Sequence, residues 1–296
     1  MPKRILIQLD CDPQPSTFDA VVAVDAGADV LLRHGGVTPG TVVPLVHGAM
    51  FTRGAADLAH TAIFIGGSDV AAAEAVAAKV RDTFFGSVRV GVLLDPSGAN
   101  TTAAAAVVAA RRHLPLEPGG DPRCRALVLG GTGPVGQRVA RLLARRGAVV
   151  HLASRSLSRA EEAVRKIRGE VPGCEVAPLA WTGDMVSGSP ADSPLAAADL
   201  VVAAGAAGAV LLDAAGRARA RGPQVLVDLN AVPPAGIAGV LPSDKGRRDG
   251  AAITWGALGV GGIKMRIHRE AIGRIFAATD AFLDAEELLA IGHDLG

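Results

Sequence analysis

RALVLGGTGPVGQRVARLLARRGAVVHLASR, residues 125–155, is the stretch on which the reading of the fold turns. Ala126 to Leu129 is a continuous apolar run, as expected of a strand buried on both faces. Gly131-Thr132-Gly133-Pro134-Val135-Gly136 follows and matches G-x-G-x-x-G. Val135, Val139, Leu142 and Leu143 then recur at helical spacing, with Arg138, Arg141, Arg145 and Arg146 assigned to a solvated face. Gly147 ends that helix, and Ala148 to Ala153 reads as a second buried strand. The glycines therefore sit where a strand turns into a helix inside one βαβ unit, the context a dinucleotide site requires. The first glycine permits the turn, the second lets the backbone approach a pyrophosphate, and the third lets helix and strand pack closely. The helix start offers free N–H groups and a positive dipole end to phosphate.

The end of the second strand speaks to cofactor choice. An NAD site carries an acid about 20 residues past the glycines to bind the ribose 2′-hydroxyl. Here the segment reads Ala153-Ser154-Arg155-Ser156, without an acid. A guanidinium at Arg155 can fork onto a 2′-phosphate, and Ser154 and Ser156 can add hydroxyls, so NADP is expected, with NAD the weaker alternative. The competing reading of Arg155 is a solvated arginine at a strand end.

Working outward, 296 residues suffice for two α/β domains. A net charge of +1, 3% aromatics and no tyrosine leave neither a basic field nor a stacking platform for nucleic acid. Cys11, Cys124 and Cys174 are scattered, which fits a reducing cytoplasm and gives no disulfide or zinc framework. No apolar run reaches spanning length, so no membrane segment is expected. The abundant Ala and Gly fit helices packed close to a sheet, or equally a codon bias.

Strand and helix patterns alternate along the whole chain. The fold class expected is α/β: two α/β domains with a cleft between them, the second a Rossmann-type doubly wound parallel sheet. The expected boundaries are an N-terminal domain over 1–115, a nucleotide domain over 116–262 and C-terminal helices over 263–296 that pack back on the first domain. Leu114 to Arg123, with three prolines and two glycines, reads as the linker. Thr182 to Ser193 reads as an irregular polar loop, Gly256 to Gly262 as a glycine-rich turn, and Ala103 to His113 as a helix. Ligands of open α/β sheets bind beyond the carboxyl ends of the strands. The loops of interest are therefore Asp10 to Asp19, Gly66 to Asp69 and Asp95 to Thr102 in the first domain. In the second they are Gly205 to Gly208, with Ala204 and Gly205 as cofactor contacts, Asn230 to Pro234 and Gly256 to Gly262. Asn100, Thr101 and Thr102 read as helix caps or ligand contacts, Asn230 as a turn residue or a nicotinamide contact. No metal site is expected, and no zinc-protease, P-loop or nucleophile-elbow signature occurs.

Several segments together resemble the bacterial methylene-tetrahydromethanopterin dehydrogenases. They are Ser16 to Asp19 with Val24 to Asp29, Thr61 to Gly67, Asn100 to Ala105, Gly131 to Gly136, Asp228 to Ile237, and Gly256 to Lys264 with His268-Arg269. The methylene-tetrahydrofolate dehydrogenases share the two-domain plan. The resemblance implies hydride transfer from methylene-tetrahydromethanopterin to NADP in one-carbon metabolism, by a homo-oligomer, a trimer, acting on a small pterin. It implies Lys264 as the first active-site residue, and Asp19, Asn100, Thr102 and, with a buried helix histidine as the other reading, His268 as pterin contacts. No proton moves when hydride leaves the bridging carbon, which agrees with the lack of a catalytic base. The alternatives are a methylene-tetrahydrofolate dehydrogenase or use of both carriers, and more distantly a methenyl-pterin cyclohydrolase or a non-catalytic NADP-binding protein.

Overall fold

A computed structural model of the chain describes residues 2–117, 123–181, 193–219 and 224–296. The first half runs β1 (Ile5–Asp10), α1 (Thr17–Asp25), β2 (Val30–His34), α2 (Val43–Phe51), β3 (Thr61–Gly66), α3 (Val70–Thr83), β4 (Gly91–Leu94) and α4 (Ala99–Arg111). The second runs β5 (Arg125–Leu129), α5 (Pro134–Arg145), β6 (Val149–Ser154), α6 (Leu157–Glu170), β7 (Val176–Ala180), β8 (Leu200–Ala203), α7 (Ala214–Arg219) and β9 (Val225–Asp228). It closes with β10 (Lys245–Asp249), β11 (Ala252–Trp255), α8 (Ala257–Ile275), β12 (Phe282–Leu283) and α9 (Ala285–Asp294). The chain divides into two compact units, one of residues 1–101 with 265–296, the other of residues 102–264.

The first unit is built on a five-stranded sheet of order β12-β4-β3-β1-β2, parallel throughout. Its central strands are largely apolar inside: Ile63, Phe64, Ile65, Val92 and Leu93 are at most 1% exposed, with Gln8 and Thr61 among the buried polar exceptions. One face is covered by Val46, Met50, Val76 and Val80 of α2 and α3. The C-terminal segment completes the sheet through β12, and α8 backs onto β4 so closely that a Cβ on Gly91 would lie 2.1 Å from the Ile275 carbonyl oxygen. Because β1 connects outward to β2 and the chain then returns to β3 and β4, the strand order reverses between β1 and β3.

The second unit carries a seven-stranded sheet of order β10-β11-β9-β8-β5-β6-β7. With β5 taken as the first strand, the parallel part is the 3-2-1-4-5-6 order of dinucleotide-binding sheets, and it reverses between β5 and β8. The expected doubly wound parallel sheet is therefore present, with β10 added antiparallel at one edge.

Three expectations need correction, and three elements were not read. The helix assigned to Ala103–His113 begins at Ala99, so Asn100, Thr101 and Thr102 lie in its first turn rather than ahead of it. The turn assigned to Gly256–Gly262 is the start of α8; Gly256 and Gly259 are needed for close packing, since a Cβ on either would lie 1.9 Å from a carbonyl oxygen, of Leu241 and Asp244 respectively. The arginine face of α5 is not all solvated: Arg138 is 6% exposed and donates to the Pro134 carbonyl, and Arg141 pairs with Glu170 at 2.9 Å. Finally, α7, β10 and β12 carry no apolar pattern long enough to read. The polar loop at 182–192, and the linker residues 118–122, lie outside the described residues.

Candidate functional site

In the second unit the loops that diverge after β5 and β8 enclose a cavity of about 650 Å³. It is lined by Gly130, Thr132, Gly133 and Pro134 on one side and by Ala204, Gly205, Ala206 and Leu211 on the other. The glycines act differently. Gly130 is left-handed, with φ 69°, and a Cβ there would meet Gly205 at 2.6 Å. Gly131 and Gly136 are forced by packing: their Cβ positions fall 2.6 Å from the Leu152 side chain and 2.7 Å from the Gly130 carbonyl oxygen. Gly133, the N-cap of α5, meets no protein atom within 3.5 Å at its Cβ position, the nearest being 3.6 Å away. The backbone there is bare toward the cavity, as a bulky anion at a helix start requires.

The far end of the cavity is formed by Ala153, Ser154, Arg155, Ser156 and Arg159 around the start of α6. Ser156 caps that helix by accepting from the Arg159 N–H at 3.4 Å. Ser154 Oγ accepts from the Ser156 N–H at 3.3 Å and lies 3.4 Å from Thr132 Oγ1, joining the loops that follow β5 and β6. Two arginines, two serine hydroxyls and a helix N-terminus thus face one end of a cavity, with no carboxylate lining it among the described residues. Trp181 closes the floor, its indole N–H donating to the Leu211 carbonyl at 2.8 Å. Such a lining fits a phosphorylated dinucleotide, with room left at Gly133 and cations at Arg155 and Arg159.

Thr132, Gly133, Pro134, Ser154, Arg155, Ser156, Ala204 and Gly205 are therefore brought together, while Gly131, Val135 and Gly136 support them without lining the cavity. Asn230 is elsewhere. Its Oδ1 accepts from the Gly208 and Val232 N–H groups, and its Nδ2 donates to the Pro234 carbonyl, so it ties the β8 and β9 loops together. Asp228 beside it accepts from the Asn230 and Ile237 N–H groups, and burial pushes its carboxyl above the ordinary range despite those bonds. Gly130 and Arg159 were not read from sequence. Gly130 falls one place before the motif, and Arg159 becomes legible only once Ser156 is known to start the helix.

In the first unit the strand-end loops are tied together by carboxylates. Asp10 accepts from the Asp12 and Ser16 N–H groups, and Asp12 accepts from the N–H and hydroxyl of Ser68 in the loop after β3. Asp19 is half-buried in the first turn of α1, its N–H capped by Ser16 Oγ at 3.2 Å. Asn100 is fully buried, donating through Nδ2 to the Leu94 carbonyl at 2.6 Å and to Asp284 Oδ1 at 2.9 Å. Thr102 and Lys264, the first and last residues of the second unit, are half-buried, on α4 and α8. His268 is fully buried and stacked on Phe64, with ring centroids 5.8 Å apart. Among the described residues no group of three or more His, Cys, Asp or Glu is placed to hold a metal ion, and no helix is long and apolar enough to cross a membrane.

The chain is similar to known proteins along its length. The family described as methylene-tetrahydromethanopterin dehydrogenase, N-terminal, matches residues 17–97. A protein of Methylorubrum extorquens named bifunctional protein MdtA is 40% identical over 300 residues, covering 100% of both chains. A second from the same organism, named NAD(P)-dependent methylenetetrahydromethanopterin dehydrogenase, is 32% identical over 281 residues, 89% of each chain. Among solved structures, quinate dehydrogenase from Corynebacterium glutamicum in complex with NAD aligns over 99% of both chains, at 14% identity and a TM-score of 0.48.

Proposed function

The chain belongs to the methylene-tetrahydromethanopterin dehydrogenase family, and on that premise we propose that it transfers hydride from methylene-tetrahydromethanopterin to NADP, giving the methenyl form and NADPH. It is an NAD(P)-dependent oxidoreductase of one-carbon metabolism. The observation that carries the cofactor side is the cavity end at the start of α6, which Arg155 and Arg159 both line and where no described residue brings a carboxylate. NADP, when bound, supplies the nicotinamide carbon that accepts the hydride.

The chain's own residues bind and orient. The backbone from Gly130 to Pro134 and the start of α5 hold the pyrophosphate, Arg155, Arg159, Ser154 and Ser156 hold the 2′-phosphate, and Ala204 with Gly205 flank the nicotinamide half. Asp19, Thr102 and Lys264 are assigned to the pterin. Hydride leaves the bridging carbon as a pair of electrons with its nucleus, and the cation left behind is shared by the two flanking nitrogens. No proton changes hands, so the site needs no general base, and Lys264 positions the pterin by hydrogen bonding rather than by titrating. We propose further that the enzyme acts in the cytoplasm as a homo-oligomer, a trimer. Phe18, Val21 and Val24, each more than half exposed along α1, support a contact between copies.

The test is NADPH formation by the purified chain with each one-carbon carrier. Turnover with methylene-tetrahydromethanopterin is expected. NADPH formed only from methylene-tetrahydrofolate would move the enzyme to that carrier, and binding of NADP without turnover on either would leave a nucleotide-binding protein.

A further inference from the structure

We propose that Ser97 is a substrate-binding residue, whose hydroxyl is presented to the pterin carrier by a strained backbone at the end of β4. The inference rests on the functional reading above and adds a residue to it. Ser97 has φ 54° and ψ 20°, the left-handed region. Every other positive-φ residue among the described ones is glycine, including Gly98 beside it at φ 62°. Left-handed backbone is disfavoured for any residue with a Cβ and comfortable for glycine. A turn that served only the chain path would be better made with glycine at 97 as well.

The strain persists because both sides of Ser97 are fixed from beneath. The fully buried Asp95 carboxylate accepts from the Asn100 and Thr101 N–H groups, each at 3.0 Å, and from the Thr101 hydroxyl at 2.6 Å. The Gly98 N–H donates to the Asp95 carbonyl at 3.1 Å. The Asn100 side chain spans from the Leu94 carbonyl to Asp284, the residue that caps α9. Strand, helix and C-terminal segment thus hold the loop in one shape, the condition under which an unfavourable conformation survives. In that shape Pro96 and Gly98 are buried and Ser97 alone is exposed. Its hydroxyl has no hydrogen-bond partner among the described residues.

The place is apt. Ser97 stands at the carboxyl end of β4, next to β3 and the β1/β3 reversal, where ligands of such sheets bind. A pterin edge mixes N–H donors with a carbonyl acceptor, and a hydroxyl can serve as either. Asn100 and Thr101, whose polar atoms are engaged below the surface, become positioning residues for Ser97.

Two variants test the assignment, with the affinity for NADP as the internal control. Ser97→Gly relieves the strain and removes the hydroxyl, so its apparent Tm should rise by about 2 °C. Its KM for methylene-tetrahydromethanopterin should rise about fivefold, with the KM for NADP unchanged, as for one lost hydrogen bond. Ser97→Ala should show the same rise in pterin KM without the gain in Tm. A pterin KM equal to that of the unaltered enzyme in both variants overturns the inference, as does a parallel rise in both KM values. If the unaltered enzyme itself turns over no pterin, the functional reading falls and this inference with it; active enzyme with indifferent variants overturns this inference alone.

Discussion

Arg155 and Arg159 stand either side of the Ser156 cap, the first ahead of it and the second in the first turn of α6, and both line the same end of the cavity. Each guanidinium can form charge-assisted bonds to a phosphate, worth about 1.5–3 kcal/mol apiece. Arg155→Ala is therefore expected to lower the ratio of kcat/KM for NADP over NAD by about 10- to 100-fold, and Arg159→Ala to act in the same direction. The double variant should fall short of the product, because the two share one ligand. Steady-state kinetics with both nucleotides checks this, and an unchanged ratio in the double variant removes the 2′-phosphate from this end of the cavity. Arg155 was legible because it replaces the acid of an NAD site at a fixed distance from the glycines. Arg159 was not, because its place depends on where a helix starts. Gly133 was legible as the glycine that leaves the backbone open, and it differs from Gly131 and Gly136 in having no close protein neighbour at its Cβ position among the described residues.

Among elements, β11 was legible as a short apolar strand, but its hairpin partner β10 was not, because Lys245-Gly246-Arg247-Arg248-Asp249 is charged, with no alternating apolar face. A side chain holds it instead. Asp244, 4% exposed, accepts a two-point fork from Arg247, the Leu241 N–H and the Thr254 hydroxyl, and its own carbonyl accepts from the Gly256 N–H at 3.0 Å. Burial pushes the Asp244 carboxyl up, but the bonds from Arg247, Leu241 and Thr254 outweigh it and hold the group below its ordinary value of 3.8. The stabilisation is therefore complete above that pH and is lost as pH falls through the lower, folded-state value. Asp244→Ala should destabilise the second unit by about 2–3 kcal/mol at neutral pH, with the difference from the unaltered protein shrinking as the solution is taken well below pH ~4. Denaturant unfolding as a function of pH measures it, and a difference that stays constant into acid would show that Asp244 acts uncharged. Helix starts were misread for a related reason. Glycine was taken as a breaker at Gly256–Gly262, whereas two of those glycines serve close backbone contact within the second unit.

At the scale of the molecule, two α/β sheets and the doubly wound plan of the second were legible, because βα alternation and the strand-glycine-helix stretch are long-range regularities that single substitutions do not blur. The tie between the β8 and β9 loops through Asn230, and that between the β4 end and α9 through Asn100 and Asp284, were not. Each joins residues distant in sequence through side chains that also read plausibly as ligand contacts. The function asserted for the whole is a direct passage of hydride from carrier to nicotinamide with no proton exchanged. It is tested by supplying methylene-tetrahydromethanopterin deuterated at the bridging carbon and reading the NADPH by mass spectrometry. The account predicts reduced nucleotide carrying the deuterium with no dilution from solvent; unlabelled NADPH, or label found in water, would contradict it.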